Sequence, residues 1–350
     1  MDSTRSLLAL SLLWIAGLLL AMPQQQPPTP PPAPPGPVAR GVPPIQQIDP
    51  PEPRPGDGVD LVVQTIDAIT GKAVGDVKIE LVRSGTAQDR RRWVYSRTTD
   101  ALGTTTIANM MADNYAVTPT LTGYVLGKSA VQSIGLAAGK KPAPLIFRLW
   151  KASSIDGIVE DREGNPIEGA SVDILEEQWV GGLRTLAVAQ RPVPTDKAGK
   201  FAFPAVLPGT YYLRAIPSRG QVQQQLRDSP AGKQAAFVDT MYPGVMYIEQ
   251  AAAVKLDPGG NLYNMRIEMQ KSPYYSFSGR VSGIPPEIRG SGLVLIRRAA
   301  FDSPFPFTWA NPYAGNLSVQ IGADGSFSAP SVPPGPYWAG YTPAGAVRGG

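Results

Sequence analysis

Neither histidine nor cysteine occurs anywhere in the 350 residues. Without imidazole there is no histidine-bearing zinc site and no Ser-His-Asp triad, and without a thiol there is no cysteine nucleophile. The same absence rules out disulfides and a lipid-modified cysteine, so stability has to come from packing. Charge is sparse as well: 17% of residues are charged, and 32 basic against 28 acidic side chains leave a net +4. So mild an excess over a long chain does not indicate nucleic acid. A Ser-Lys dyad or a carboxylate pair stays chemically open, yet no local motif brings such groups together. The expectation is a non-enzyme with no catalytic residue, no metal and no cofactor.

Glycine and proline are plentiful, at 37 and 38 residues, beside 43% hydrophobic side chains. That mixture favours short elements joined by turns around buried cores, hence an all-β chain of two or three domains. At the N-terminus Arg5 precedes an apolar run from Leu7 to Ala21. Its 15 residues fall short of the ~20 that span a bilayer, so residues 1–22 read as a helical signal peptide for export. The destination is secreted, periplasmic or cell-surface, with membrane contact only through an uncleaved signal segment. From Pro23 to Asp57 the chain is dominated by Pro, Gln and Gly, which predicts a disordered, polyproline-like linker over 23–57.

Beyond the linker the sequence repeats itself. Thr195-Asp196 leads to Gly199, Phe201 and Pro208-Gly209-Thr210-Tyr211, with 12 residues from Gly199 to Tyr211. Asp324-Gly325 leads to Phe327 and Pro334-Gly335-Pro336-Tyr337, and Thr99-Asp100 leads to Gly103 and Tyr115, again 12 residues from Gly to Tyr. Gly164–Val172 matches Gly71–Ile79 as a turn followed by alternation. Leu136, Gly139, Phe147 and Leu149 share their spacing with Leu256, Gly259, Ile267 and Met269, which is read as a closing hairpin. Phe277-Ser278-Gly279-Arg280-Val281 resembles Ile155-Asp156-Gly157-Ile158-Val159. Domains are therefore expected at 58–152, 153–272 and 273–350. The third has only 13 residues after Tyr337, whereas the first spends 34 between Tyr115 and Leu149. It is expected to be incomplete, in a truncated frame, with an unpaired edge.

Alternation of Val172 and Ile174 with Ser171 and Asp173, and of Tyr211, Leu213 and Ala215 with Tyr212 and Arg214, predicts strands with one dry face. Asp324-Gly325 between Val319/Ile321 and Phe327 predicts a hairpin, and Asp100 and Asp196 are expected to bond turn amides. Each recurring tyrosine is expected to fill a sandwich while its hydroxyl reaches a loop carbonyl, so that Tyr211→Ala would cost ~3–5 kcal/mol. The pattern Gly157-x-Val159, Gly164-x-Pro166-Ile167-x-Gly169-Ala170-x-Val172, Thr195-Asp196, Gly199-x-Phe201 and Pro208-Gly209-x-Tyr211 resembles the carboxypeptidase regulatory-like domain. The resemblance covers about residues 58 to 345. The first unit departs from it in lacking Pro-Gly before Tyr115, and the third in lacking the Gly-x-Pro-Ile turn. It implies a transthyretin-like β-sandwich of accessory, non-catalytic role, and it transfers no active-site residue.

Three constellations invite a ligand. Asp161, Glu163 and Asn165 offer oxygens at alternate positions but lack the remaining ligands of a calcium loop, so a solvated turn is favoured. Asp89-Arg90-Arg91-Arg92 beside Trp93 and Tyr95 is read as an ordinary charged hairpin tip rather than a site for an anionic polymer. Phe301, Phe305, Phe307, Trp309 and Tyr313 crowd a Pro- and Asn-rich insertion. Of these, Phe305, Phe307, Trp309 and Tyr313 are the candidate ligand-binding aromatics, weighed against plain packing, and Trp179 sits in a similar insertion. The structural repeat positions are Gly103, Tyr115, Gly199, Phe201, Gly209, Tyr211, Gly325, Phe327, Gly335 and Tyr337. The reading is an all-β string of Greek-key β-sandwiches, transthyretin-like or immunoglobulin-like, acting as spacer, adhesion or binding module. Its partner would be carbohydrate or another envelope protein, and its oligomeric state is open. The alternative is a carbohydrate-binding accessory region of a longer secreted enzyme or outer-membrane protein.

Overall fold

The computed structural model describes residues 46–48, 50–83, 91–128, 133–180, 182–230, 232–283, 292–297, 316–322, 324–335 and 337–341. The signal segment, most of the linker and the aromatic insertion at 301–315 lie outside them. The described chain is all-β, and its strands fall into three sets.

The first set comprises β1 (Gln46–Ile48), β2 (Val59–Asp67), β3 (Lys78–Arg83), β4 (Arg91–Thr98), β5 (Thr104–Met110), β6 (Asn114–Thr120), β7 (Tyr124–Leu126), β8 (Ser133–Gly135) and β9 (Leu145–Lys151). They form two facing sheets, ordered β5-β2-β9-β7 and β1-β4-β3-β6-β8. In β2 every second residue is buried, the period that one dry face requires. Leu61, Val63, Ile79, Leu81, Ile107, Tyr115 and Phe147 meet between the sheets. Each such side chain, fully withdrawn from water, contributes roughly 1.5–3 kcal/mol before entropy is counted.

The second set comprises β10 (Ser153–Glu160), β11 (Ser171–Val180), β12 (Leu183–Val188), β13 (Val193–Pro194), β14 (Lys200–Val206), β15 (Gly209–Ile216), α1 (Arg219–Asp228), β16 (Ala235–Phe237), β17 (Thr240–Met241), β18 (Val254–Leu256), β19 (Asn261–Glu268) and β20 (Lys271–Pro273). A β14-β10-β19 sheet faces β12-β11-β15-β17, with β18 paired to the other end of β15. Ile155, Val172, Ile174, Phe203, Leu213 and Ile267 fill the interior. The third set comprises β21 (Tyr275–Arg280), β22 (Gly292–Arg297), β23 (Asn316–Gln320), β24 (Ser326–Val332) and β25 (Tyr337–Tyr341). Here β21 pairs β24, and the order β23-β22-β25 makes the other sheet.

The sets share more than strand order. Where the first strand pairs its antiparallel neighbour, the register slips at the same place each time: between Val59 and Leu61, between Ser153 and Ile155, and between Tyr275 and Phe277. A bulge there bends the strand across its sheet.

Four expectations are corrected. The closing segment is not a hairpin: β8 pairs β6 in one sheet, while β9 crosses to the other and runs parallel to β2. Likewise β18 pairs β15, and β19 lies parallel to β10. The Asp324-Gly325 turn is tight, but the strands flanking it, β23 and β24, pair in opposite sheets. The linker of 23–57 is not structureless throughout, because β1 adds in parallel to β4. Between Pro44 and Pro50 there is no proline, so those amides are free to join a ladder.

Finally, the polar face of β11 and β15 is not solvated. Asp173 is 0% exposed, and Leu175, Met241 and Ile248 form a second buried layer over that face. The excursion carrying Met241 and Ile248 also carries α1, closed at its start by a Ser218/Gln221 capping box.

Candidate binding site

The recurring residues serve the fold. Tyr115 donates its hydroxyl to the Met111 carbonyl at 2.8 Å, Tyr211 to Leu207 at 2.7 Å and Tyr337 to Pro333 at 2.6 Å. In each set the ring enters the apolar layer and the oxygen ties down the residue four positions earlier. A Cβ on Gly209 would lie 3.0 Å from the Tyr211 hydroxyl, so the Gly that opens β15 leaves room for the brace.

Gly103, Gly199 and Gly325 adopt φ of +67°, +71° and +84° in the turn before the next strand. The carboxylate of Asp196 accepts from the Ala198 and Lys200 amides at 2.9 and 2.8 Å, and Asp100 does the same for Leu102 and Thr104. In the third set Gly322 takes that corner, and Asp324 serves from inside the turn by accepting from the Ser326 amide at 3.0 Å.

Sequence reasoning gave no role to Thr99 and Thr195, although both open the recurring motif. Thr195 Oγ1 donates to the Ile167 carbonyl at 2.6 Å and accepts from the Ala170 amide at 3.0 Å, while Thr99 Oγ1 accepts from Val77. Both hydroxyls are buried and hold one sheet's turn to the other.

The ligand candidates separate in the same way. Asp161 accepts from the amides of Glu163 and Asn165 and from the Asn165 side chain, so its oxygens close a turn. Among the described residues no group of three or more acidic side chains could hold a metal. Trp93 is covered by the Arg83 guanidinium, 4.0 Å from the ring centroid, and Arg83 also pairs with Asp113. Trp179 stands 71% exposed on β11, opposite Arg184. Phe305, Phe307, Trp309 and Tyr313 lie outside the described residues.

A groove that the sequence did not single out lies in the third set. Tyr275, Phe277, Val332, Pro333, Pro334 and Tyr337 line a volume of about 390 Å³. Phe277 packs at a tilt on Phe327, ring centroids 5.5 Å apart, and its remaining surface is open. Among the described residues that line it none is charged, and so it offers apolar contact and backbone hydrogen bonds.

No family model and no curated relative matches the chain. Among solved structures it is similar to the Bacillus anthracis TIE protein, at 16% identity over 82% of this chain and 45% of that one, TM-score 0.24. It is similar to a streptococcal ancillary pilin at 15% identity over 82% of this chain and 91% of that one, TM-score 0.25. The shaft pilin SpaA of Lactobacillus rhamnosus GG shares 16% identity over 66% of this chain and 99% of the pilin, TM-score 0.23. The chain spans less than half the length of the Bacillus anthracis protein. Values of this size assign no activity and no partner, and the architecture stands on the strands and cores above. No helix among the described residues is long and apolar enough to cross a membrane.

Proposed function

We propose that this is a non-catalytic, exported protein of three tandem β-sandwich domains of the carboxypeptidase regulatory-like kind, spanning 58–152, 153–272 and 273–350. It serves as a spacer and as an adhesion or binding module. One observation carries the reading: the residues that recur between sets close turns and brace strands, whereas the aromatic groups open to a partner differ between sets, with Trp179 in the second and Tyr275 and Phe277 in the third. A scaffold repeated for its shape and varied at its surface has this signature. Export rests on the apolar run after Arg5. Expression in a bacterial host followed by fractionation tests it. The full chain is expected outside the cytoplasm and a chain lacking residues 1–22 inside, and cytoplasmic retention of both would overturn the reading.

The exposure of Trp179 favours a second reading, carbohydrate recognition, because an indole face stacks on sugar rings. On a glycan array the whole chain would then bind a defined sugar class, and Trp179→Ala would lower that signal by about tenfold, the worth of one stacked aromatic. Silence across the array removes the carbohydrate reading. Unaltered binding by Trp179→Ala moves it elsewhere on the chain.

A further inference from the structure

The parallel crossing that closes the first two sets decides how each would carry a pull along the chain. In the first set β9 lies parallel to β2, with Val63 facing Leu145 and Asp67 facing Leu149. In the second β19 lies parallel to β10, with Ser154 facing Asn261 and Glu160 facing Glu268. A bond just past the last paired residues extends each ladder: the Ala68 amide donates to the Leu149 carbonyl at 2.8 Å, and the Met269 amide to the Glu160 carbonyl at 2.7 Å. The chain enters each pair at the N-terminal end of one strand and leaves at the C-terminal end of the other. Because the strands are parallel, those two points lie at opposite ends of the ladder. Tension therefore slides one strand past its neighbour, and hydrogen bonds that run across the strands are loaded together. A closing hairpin, antiparallel to the first strand, would put entry and exit at one end, where the same bonds part in turn.

The strand that receives the pull is also held on its other side. The orders β5-β2-β9-β7 and β14-β10-β19 place β2 and β10 inside their sheets. Leu61 and Val63 on β2, like Ile155 and Val159 on β10, are fully buried, so sliding drags apolar groups out of each core as well. The two ladders are coupled directly. Ala152 alone lies between β9 and β10, and its amide donates to the Gly123 carbonyl of the first set at 2.8 Å. Beside it the Ser153 hydroxyl donates to the Asp257 carbonyl of the second set at 2.7 Å, and Lys128 pairs with Glu176 across the junction. A pull that leaves the first ladder through Lys151 enters the second at Ser153.

We propose that the first two sandwiches are tension-bearing units in series, in which the β2–β9 and β10–β19 ladders are shear clamps that resist a pull along the chain. The proposal rests on the spacer and adhesion reading for where a pull would arise. The resistance itself follows from strand direction, which the two sets share although their registers and connections differ.

Because the chain has no cysteine, thiol handles can be set at chosen exposed residues and the whole protein stretched between them in single-molecule force measurements. Glu52→Cys with Lys151→Cys pulls β2 and β9 lengthwise, and Ile69→Cys with Lys151→Cys peels the same strands from one end. Lys151→Cys with Lys271→Cys and Arg162→Cys with Lys271→Cys make the same comparison for β10 and β19. The two variants of a comparison are first matched by hydrogen exchange of the ladder, so that a difference in force reports direction rather than stability. A handle that disturbs the fold moves to Lys72 in the first set or Glu163 in the second, both exposed. Lengthwise rupture is expected to need roughly twice the force of peeling or more, because the ladder bonds and the core must give together. Each lengthwise rupture should lengthen the tether by the extended length of one whole sandwich, roughly 3.3–3.6 Å per residue less its folded span. Equal forces in the two directions, or a lower lengthwise force, would overturn the proposal in that set. A lengthwise pull that frees part of the sandwich before the ladder parts would overturn it too, since something other than the clamp would then be holding. Made on purified protein, the measurement can fail while export holds, and hold while export fails.

Discussion

Replacing Gly199 with alanine separates two costs that the turn before β14 combines. Gly199 sits at φ +71°, and a Cβ there would lie 2.4 Å from the Val159 carbonyl oxygen. An L-residue in the left-handed region costs about 1–2 kcal/mol. The oxygen must also retreat by roughly 0.6 Å to reach the 3.0 Å below which real Cβ contacts essentially never occur. That oxygen accepts the Ile167 amide at 2.9 Å, so its movement strains a bond worth about 0.5–1.5 kcal/mol. The total is ~1.5–3.5 kcal/mol.

Gly164 provides the internal control. Its φ is +82° and nothing lies within 4 Å of the built Cβ, so Gly164→Ala should cost only the conformational part. The gain from a stiffer unfolded chain is common to both variants and cancels in their difference. The same 2.4 Å approach recurs from Gly103 to the Thr65 carbonyl and from Gly325 to the Val281 carbonyl. With three separate cores a single unfolding midpoint is not a defined quantity, so the measurement is hydrogen exchange resolved to peptides of β10, β11 and β14. Gly199→Ala should lower the opening free energy there by about 1 kcal/mol more than Gly164→Ala. Equal losses would refute the argument that the close backbone approach, rather than φ alone, reserves the position for glycine.

Two further outcomes follow from the second set. Tyr211→Phe keeps the ring and removes only the bond to the Leu207 carbonyl, so it should cost ~1 kcal/mol, whereas Tyr211→Ala should cost ~3–5; urea unfolding followed by local exchange separates the two. Asp173 pairs with Arg214 beneath the second buried layer, and its Oδ1 accepts no hydrogen bond. Burial pushes its carboxyl above the ordinary 3.8, with Arg214 opposing and Asp239 adding to the rise. A group whose folded value is raised contributes stability that is fully present below pH 3.8 and lost as pH rises through the folded value. The stability of wild type relative to Asp173→Asn should therefore improve on acidification from about pH 7 to about pH 4. Arg214→Met should cost ~3–5 kcal/mol at neutral pH and steepen that dependence, because the opposing cation is gone. A pH-independent difference in paired urea titrations, followed by local exchange of β11 and β15, would count against the raised carboxyl.

Much of the fold was legible because its signals are local. The spacing of Gly199, Phe201 and Tyr211 located a turn and a strand, and Tyr115 and Tyr337 repeated it. The acceptor of each hydroxyl was not legible, since a carbonyl four residues earlier looks like any other. The alternation around Asp173 told which side chains share a face but not that Met241 and Ile248 fold back to cover the polar one. The closing strands misled for a related reason: an alternating apolar segment fits a hairpin or a parallel crossing equally well. The aromatic insertion drew notice by composition, whereas the groove of Tyr275, Phe277 and Tyr337 is scattered along the chain and has no local signature.

By itself the sequence determined where the chain turns and which residues point inward, because a glycine's φ and a strand's period are settled within a few residues. Only the tertiary structure decided which strand lies beside which. That choice rests on contacts between residues tens of positions apart, and it leaves β2 and β10 flanked on both sides while β21 keeps Phe277 at the surface.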